Sequence, residues 1–319
     1  MMFRPWLKNI PYDKRILEIG PLSWPNIQKN KYKNLFYADI RSTEDLKKFY
    51  KPDPNVLTNE IMDIDYVIEN SYSESLKDVE KFDYVIATHV IEHMPQLVLF
   101  FIDIASVLKP GGKLCLAIPD KRFCFDHYRC PTSFAECYDI YKRKIINSPL
   151  RVFDHFINSS SNNNPTSWWQ SPDCYDHFVK NESQYLFANN KYHQALNGDY
   201  IDVHFSVFTP ETFLLFIYHM VQFCLLPFRC IEFYKTEINF NEFNCVLEFN
   251  NNVSINGSME NISEKANILK LLSANNDLSN YVNINYIINH NIDRLKHFLM
   301  KVKRKLINPI KRIINVICN

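Results

Sequence analysis

The stretch FDYVIATHVIEHM, residues 82–94, decides how the rest of the chain is interpreted. Its first seven residues form an apolar run that predicts a buried strand, and a polar turn containing His89 follows. The segment after the turn has helical apolar spacing and ends at a Pro-Gly-Gly sequence, residues 110–112, that cannot continue a helix. A strand, a polar turn and a helix in this order indicate a parallel α/β unit.

Other apolar runs extend this unit in both directions. Strands are predicted at residues 15–19, 35–39, 65–69 and 113–118, with helical or polar stretches between them. Near-continuous apolar strands of this kind are typical of a parallel sheet covered on both faces. Two alternating runs, CIEFYKTEI and FNCVLEFN, then predict an antiparallel hairpin that finishes the sheet. The expected fold is an open, mostly parallel seven-stranded α/β sheet with an antiparallel last strand.

The rest of the chain is predicted to form an insertion, a capped helix and a tail. Residues 121–200 are rich in aromatic, His, Asp and Asn residues, which suggests a helical and aromatic lid built onto the sheet. In FTPETFLLFIYHM, Thr209 suits the N-cap of a helix and Pro210 its first position. A polar linker begins near residue 250, so the predicted division is a domain at 1–250 and a linker with a helical tail at 251–319.

Composition and charge exclude several classes of protein. The chain of 319 residues is 46% hydrophobic and 22% charged, as in ordinary globular proteins. It has neither a run long enough to cross a bilayer nor an N-terminal signal peptide. Its nine cysteines lack CxxC pairs and regular spacing, so neither a zinc ribbon nor a disulfide framework is expected. These features predict a cytoplasmic protein, and its mildly acidic body offers no basic face for nucleic acid.

The tail carries a strong positive charge. Residues 291–319 contain eight Lys or Arg against the single acid Asp293, a net charge of +7 within a chain of +1. Apolar residues recur there at three- and four-residue steps, which predicts a basic amphipathic helix interrupted at Pro309. Such a helix suits an anionic membrane surface, a partner protein, or the acidic body of the same chain.

Polar side chains collect where the predicted strands end. In an open parallel sheet, ligands bind at the carboxyl ends of the strands. Glu18 and Gly20 end the first strand, and Asp39 ends the second at a place where a carboxylate can accept hydrogen bonds from a ribose diol. This pattern alone is compatible with NAD, a flavin or S-adenosylmethionine. The loop after the first strand has one glycine, followed by Pro21, in place of several.

The combination of LEIG, an acid after the second strand, THVIEHM and VLKPGGKLCLAIPDKR resembles the class I S-adenosylmethionine-dependent methyltransferases. More narrowly, ILEIGP, THVIEHMP, AIPDKRFCFD, FDHF, YIDVHFSVFTP and LPF are similar to bacterial methyltransferase-domain proteins associated with surface-polysaccharide glycosyltransferase systems. The resemblance covers roughly residues 14 to 249. It implies a Rossmann-like class I methyltransferase fold with S-adenosylmethionine as cofactor.

The resemblance also implies roles for individual residues. Glu18, Gly20 and Pro21 would lie along the methionine part of the cofactor and Asp39 would hold its ribose. Glu69 and Asn70 would border the adenine, with Asp63 and Asp65 as rivals for the acid of the third strand. His89 would contact the cofactor. A methionine carries no pyrophosphate, so a loop with a single glycine can suffice.

Methyl transfer to a hydroxyl group is faster when a general base removes the proton of that group. The candidates are His89, Asp120, and the pair Asp202 and His204 in YIDVHF, which alternation in a strand would place on one face. His155 is a further candidate, whereas His93 is assigned a structural role. Lys121 and Arg122 are candidates for holding an anionic acceptor, and Trp168 and Trp169 for stacking on a sugar.

The sequence therefore predicts an O-methyltransferase for a glycan or other small-molecule acceptor. The tail could bring it to the inner face of the membrane or to a glycosyltransferase. One alternative is a non-catalytic scaffold that keeps the fold, and another is a nicotinamide oxidoreductase, against which the missing GxGxxG counts. No metal site is expected, because the Asp residues are too scattered to form a cluster of oxygen ligands.

Overall fold

The computed structural model of the chain describes residues 4–54, 56–171 and 180–274. Its centre is a seven-stranded sheet with the strand order β3-β2-β1-β4-β5-β7-β6. In chain order the strands are β1 (Ile16–Ile19), β2 (Leu35–Asp39), β3 (Tyr66–Val67), β4 (Phe82–Thr88), β5 (Leu108–Pro119), β6 (Phe228–Tyr234) and β7 (Glu242–Phe249). In this spatial order, the first five strands, β3-β2-β1-β4-β5, pair in parallel. β7 is antiparallel to both β5 and β6. The predicted fold class is confirmed.

Helices surround this sheet. They are α1 (Thr43–Tyr50), α2 (Tyr72–Ser75), α3 (Leu97–Val107), α4 (Phe134–Lys142), α5 (Pro149–Asn158), α6 (Pro165–Gln170), α7 (Glu182–Leu196), α8 (Pro210–Gln222) and α9 (Met259–Ala274). Short 3-10 turns at 91–93 and 121–123 follow β4 and β5. In the part of the chain that is described, none of these helices has the length and apolar character that a bilayer span requires.

The central strands are apolar because both of their faces are covered. Leu17 of β1 and Val85 of β4 contribute to the larger of two cores, which also contains α3 and α8. Ile16 and Ile86, from the same two strands, contribute to the smaller core on the opposite face. Successive side chains of a strand point to opposite faces, so strands without polar interruptions are what a doubly covered sheet requires.

The predicted element bounds are close to those observed, and β3 and β5 are two exceptions. β3 is only two residues long, and β5 begins at Leu108, so the Pro-Gly-Gly turn lies inside its bounds. Thr209 caps α8 by accepting a hydrogen bond from the backbone N–H of Thr212, and Pro210 is the first residue of that helix. This prediction is confirmed.

The domain boundary predicted at residue 250 does not divide the packing. Ile268 and Leu272 of α9 are buried in the larger core together with α8. The side chain of Asn261 donates hydrogen bonds to the carbonyl oxygens of Val221 and Val253, and Glu264 accepts one from the backbone N–H of Cys230. The polar residues 250–258 form a 3-10 turn and a short loop before α9, which itself packs on the domain. Residues 275–319, and with them the predicted basic tail, lie outside the described residues.

A substitution in α9 tests whether this helix belongs to the domain. Ile268 is 0% exposed, so Ile268→Ala removes three buried carbons, and we expect the free energy of unfolding to fall by about 2–4 kcal/mol. Ile255, 52% exposed, provides the matched control, and Ile255→Ala should change stability by less than about 0.5 kcal/mol. The measurement is urea unfolding followed by circular dichroism. Equal effects of the two substitutions would show that α9 is not part of the core.

Candidate functional site

A small polar cavity lies at the carboxyl ends of β1, β2 and β4, where an open parallel sheet binds its ligands. Its volume is about 150 Å³. It is lined by Ile19, Gly20, Leu22, Asp39, Ile40, Arg41, Leu46, Tyr50, Tyr72, His89, Val90, His93, Met94, Tyr200 and Asp202. Ligand pockets usually hold about 300–1,000 Å³, so this cavity is smaller than a usual site for a nucleoside-sized ligand.

The turn after β1 requires its glycine. Gly20 has a φ of +62°, and a Cβ on it would lie 3.3 Å from a methyl carbon of Val90. Both the backbone conformation and the close approach to the turn after β4 therefore favour glycine. Leu22, two residues later, also has a positive φ of 42° and lines the cavity, whereas Pro21 is buried outside the wall. The turn is shaped by backbone conformation and not by repeated glycines.

Glu18 binds Asn26 in the loop that follows this turn, and it does not line the cavity. It is 1% exposed, and its carboxylate accepts hydrogen bonds from the backbone N–H and side-chain amide of Asn26, at 2.7 and 2.8 Å. Burial raises the pKa of Glu18, and the hydrogen bonds from Asn26 oppose that shift. Its predicted contact with the methionine part of the cofactor stays a prediction, because the geometry gives the carboxylate another role.

Asp39 lies in the cavity wall at the end of β2, as predicted. Burial raises the pKa of its carboxyl group to about 6, although the backbone N–H groups of Arg41 and Ile40 and the Arg41 charge act in the other direction. A carboxylate with so little compensation gains when a ligand donates hydrogen bonds to it, as the two hydroxyls of a ribose would.

The acids near the third strand lie away from the cavity. Glu69 and Asn70 are exposed and do not belong to its wall. Asp65 accepts hydrogen bonds from the backbone N–H of Tyr37 and from Lys29, so it joins β2 to the loop before β3. Tyr72 is the residue of this region that lines the cavity. The assignment of Glu69 and Asn70 to the adenine stays a prediction.

His89 is held in a strained conformation at the end of β4. Its φ of 53° is uncommon for a residue with a side chain, and such residues concentrate at functional sites. Its Nε2 lies 2.7 Å from a carboxylate oxygen of Glu242, the first residue of β7. Glu242 also receives two hydrogen bonds from the Arg4 guanidinium, at 2.9 and 3.0 Å. This ion pair fixes the His89 side chain beside the cavity.

The predicted pairing of Asp202 with His204 is wrong, because residues 201–206 do not form a strand. Asp202 pairs instead with His93, whose Nδ1 lies 2.8 Å from its carboxylate. Burial lowers the pKa of His93, but the Asp202 hydrogen bond and the charges of Glu92 and Asp202 outweigh it, so the net shift is upward. Burial likewise opposes ionisation of Asp202, and His93 holds its pKa below the ordinary value. His93, predicted to be structural, is therefore the histidine that carries a carboxylate partner in the cavity wall.

His204 has its own carboxylate, which sequence reasoning missed. Its Nδ1 lies 2.5 Å from Asp126, and Asp126 also accepts a hydrogen bond from Arg129. Burial would raise the pKa of Asp126, but His204 and Arg129 bring it below the ordinary range. The rings of His93 and His204 meet edge to face, with centroids 4.8 Å apart. Two imidazoles, each oriented by a carboxylate, therefore lie side by side at the cavity.

Other predicted acceptor-side residues are engaged within the fold. Asp120 is 0% exposed, and its carboxylate accepts hydrogen bonds from Arg122 and from the Thr236 hydroxyl. Lys121 donates to the carbonyl oxygen of His127. Burial and the nearby Arg129 charge lower the pKa of His155 to about 3, which makes it a poor base at neutral pH. Neither Asp120 nor His155 is in the cavity wall.

The two tryptophans pack inside the insertion. Trp168 is 0% exposed and stacks on His127 with centroids 4.0 Å apart. Trp169 stacks on Phe123 at the same distance and donates a hydrogen bond to the carbonyl oxygen of Phe240. Each indole thus has one face covered by another ring, and the predicted stacking on a sugar is not what their geometry favours.

Comparison with known proteins finds a sequence family that is similar to part of the chain. Residues 27–116 match a sequence family described as "Methyltransferase domain". No curated protein matches the chain. The matched range runs from the turn after β1 to the middle of β5 and therefore includes Asp39, His89 and His93. The match covers less than a third of the chain, so the chain is similar to this family over that range.

Solved structures with similarity to the chain have low identity. A SAM-dependent methyltransferase from Methanosarcina mazei is 13% identical, covers 78% of this chain and 99% of its own, and has a TM-score of 0.38. The trans-methyltransferase CalH, solved with SAH, is 13% identical over 77% of this chain and 55% of its own, with a TM-score of 0.37. A structure described as a Zn-dependent alcohol dehydrogenase from Rhodobacter sphaeroides is 12% identical over 76% and 87%, with a TM-score of 0.39. We draw no conclusion about chemistry from likenesses at this level.

The raised pKa of Asp39 gives a prediction with two opposite effects. Its folded-state value of about 6 exceeds its unfolded value, so the buried carboxylate destabilises the protein as the pH rises through that window. At pH 7.5 and without cofactor, we expect Asp39→Asn to raise the free energy of unfolding by about 1–3 kcal/mol. The same change should weaken S-adenosylmethionine binding about 10- to 100-fold, because a charge-assisted hydrogen bond is lost.

Denaturant unfolding at pH 5 and 7.5 and isothermal titration with S-adenosylmethionine measure these effects. The stability gain should be smaller at pH 5, where the wild-type carboxyl is already largely protonated. Glu44→Gln is the control, because the Glu44 side chain is 76% exposed at the start of α1, and it should change neither quantity. An unchanged cofactor affinity in Asp39→Asn would remove Asp39 from the binding site.

Proposed function

We propose that the chain is an S-adenosylmethionine-dependent methyltransferase of class I fold and that it methylates a hydroxyl group of a sugar or glycan precursor used in surface polysaccharide. The observation that supports a hydroxyl acceptor is the carboxylate-oriented imidazole in the cavity wall, His93 with Asp202. An alcohol is a weak nucleophile, and it gains most from a group that removes its proton during transfer.

The reaction is an in-line displacement. The C–O bond to the acceptor forms while the C–S bond of the sulfonium breaks, and the bonding pair leaves with sulfur as a neutral thioether. The hydroxyl proton must be lost from the acceptor, and the His93 and His204 pair lies where it can promote that loss. Alignment of the three reacting atoms supplies much of the remaining acceleration.

The sugar assignment rests on the motifs ILEIGP, THVIEHMP and YIDVHFSVFTP and on their resemblance to polysaccharide-associated proteins. The structure adds a consistent feature, because these three motifs supply most of the cavity wall, including Gly20, His93 and Asp202. The predicted peripheral membrane location and the glycosyltransferase partner depend on residues 291–319. Those residues lie outside the described part, and both remain proposals.

Transfer of a radiolabelled methyl group tests this function. The full-length protein is incubated with labelled S-adenosylmethionine and either nucleotide-activated sugars or undecaprenyl-linked oligosaccharides. We expect label in the sugar as an ether, which survives mild alkali. Release of labelled methanol by alkali would instead indicate a carboxyl ester and overturn the hydroxyl assignment. Cofactor binding with no transfer to any acceptor would favour the non-catalytic scaffold.

A substitution behind the cavity wall separates catalysis from cofactor binding. His204 contacts His93 and Asp126 but does not line the cavity, so His204→Gln should leave the Kd of S-adenosylmethionine within about threefold of the wild-type value. Turnover should fall about 10²- to 10⁴-fold, the usual contribution of hydroxyl activation. His219→Gln, a half-buried histidine of α8, is the matched control and should leave turnover intact. Full activity of His204→Gln would show that the histidine pair is structural.

A further inference from the structure

Glu92 is a buried carboxylate without a hydrogen-bond partner. The residue is 1% exposed, and within the described residues neither of its carboxylate oxygens makes a hydrogen bond. His89 Nδ1 is 3.6 Å from its Oε1, which is longer than a hydrogen bond. Burying a carboxylate without compensation is costly, so such a group calls for a ligand of positive charge or for a donor.

Two imidazoles face this carboxylate. One ligand atom each of Glu92, His93 and His204 can be chosen so that all three lie within 4.8 Å of one another. The Nδ1 atoms of both histidines are already bound to carboxylates, that of His93 to Asp202 and that of His204 to Asp126. In the described part of the chain, the Nε2 atoms have no hydrogen-bond partner and are therefore the atoms left for a ligand.

Carboxylates at Nδ1 are the usual outer partners of histidines that bind a metal through Nε2. They fix the tautomer, orient the ring and raise the basicity of the other nitrogen. A structural pair of core histidines has no need for two separate buried or half-buried acids. The backbone holds the two sides of the cluster together as well, because the carbonyl oxygen of Glu92 accepts hydrogen bonds from the N–H groups of Phe205 and Ser206.

We propose that Glu92, His93 and His204 bind one divalent transition-metal ion. Two imidazole nitrogens and one carboxylate oxygen are ligands that suit Zn²⁺, Mn²⁺, Fe²⁺ or Co²⁺, whereas Ca²⁺ and Mg²⁺ prefer oxygen alone. With metal–ligand bonds of about 2.1 Å, neighbouring ligand atoms lie roughly 3–3.5 Å apart. The side chains therefore draw together by about 1 Å when the ion binds. This site runs against the sequence expectation of no metal, because its ligands, Glu92, His93 and His204, lie up to 112 residues apart in the chain and do not form an Asp cluster.

One of the three proposed ligands, His93, also lines the cavity. Three protein ligands leave at least one position free, and His93 places it beside the cavity wall that also contains Gly20 and Asp39. An acceptor hydroxyl bound at that position would have a lowered pKa and would lose its proton to solvent more readily. In that case the ion, and not the His93 imidazole whose Nε2 binds it, would activate the hydroxyl. This catalytic role rests on the proposed function, but metal binding itself does not.

The test is metal binding by the full-length protein in the absence of acceptor and cofactor. After treatment with a chelator, the protein is titrated with Zn²⁺, Mn²⁺ and Co²⁺ by calorimetry, and Tm is measured with and without each ion. We expect one ion per chain and a rise in Tm, and Co²⁺ should give a visible absorption band typical of nitrogen and oxygen ligands. An absence of stoichiometric binding by the wild-type protein would overturn the site.

Glu92→Gln is the diagnostic variant. It keeps the shape of the side chain and removes its charge, so the metal-free variant should have a Tm equal to or above that of the wild-type protein. Its affinity for the ion should fall about 100-fold or more. Asp126→Asn weakens the support of His204 and also removes the charge that faces Arg129, and its affinity should fall about 10- to 100-fold. His219→Gln is the control and should bind like the wild-type protein. Equal metal affinity of Glu92→Gln and wild type would place the ion elsewhere and overturn the assignment.

The outcomes separate this inference from the proposed function. Stoichiometric metal binding without any sugar methylation would contradict the proposed acceptor and leave the site intact. Methylation at the full rate in the chelator-treated protein would show that the ion does not activate the hydroxyl. Methylation that returns only when the ion is added back would support both.

Discussion

The buried carboxylate of Glu242 joins the parts of the molecule on which the site depends. It lies at the start of β7, and the antiparallel pairing of β7 with β5 brings it to the carboxyl edge of the parallel strands. There it binds Arg4, near the N-terminus, and His89, at the end of β4. Burial opposes ionisation of Glu242, but His89 and Arg4 hold its pKa below the ordinary value. Removal of Glu242 would leave the buried Arg4 guanidinium without its carboxylate, and removal of Arg4 would leave Glu242 without that compensating charge. The His89 ring is held in place by its contact with the same carboxylate.

This constraint extends from His89 to the histidine pair. His89 has a φ of 53°, and the turn of residues 91–93 follows directly. The carbonyl oxygen of Glu92, in that turn, accepts hydrogen bonds from Phe205 and Ser206 and so positions His204. The cavity wall is assembled from five chain segments, at 19–22, 39–50, 72, 89–94 and 200–202. Its geometry depends on backbone bonds and on buried ion pairs more than on the local sequence.

The sequence predicted the sheet well because each buried strand is a run of apolar residues that are neighbours in the chain. Apolar runs at 35–39 and 82–88 match β2 and β4, and Thr209 with Pro210 marks the start of α8. The site was predicted less well, because its pairs are not local. Asp126 and His204 are separated by 78 residues, and His93 and Asp202 by 109. Alternation in YIDVHF suggested a strand, but tertiary contacts of this segment with the turn at 91–93 override that local pattern.

Two acids near the cavity carry the clearest functional information, and they differ in kind. Asp39 is half-buried, and its pKa is raised although its carboxylate accepts a 3.3 Å hydrogen bond from the Arg41 N–H. Neutral hydroxyl donors can fill this deficit. Glu92 is almost fully buried and lies beside the imidazoles of His93 and His204, whose Nδ1 atoms are already bound to carboxylates. With its Nδ1 bound to a carboxylate, each imidazole can offer Glu92 only the lone pair or the proton of its Nε2. A cation bound by all three groups would compensate the Glu92 charge better than a neutral donor. A protein that keeps both acids gives up stability in the free state, which is the usual cost of a site built for ligands. Under the two proposals, Asp39 in the cavity wall would hold the ribose, and the cluster of Glu92, His93 and His204 beside that wall would bind the cation.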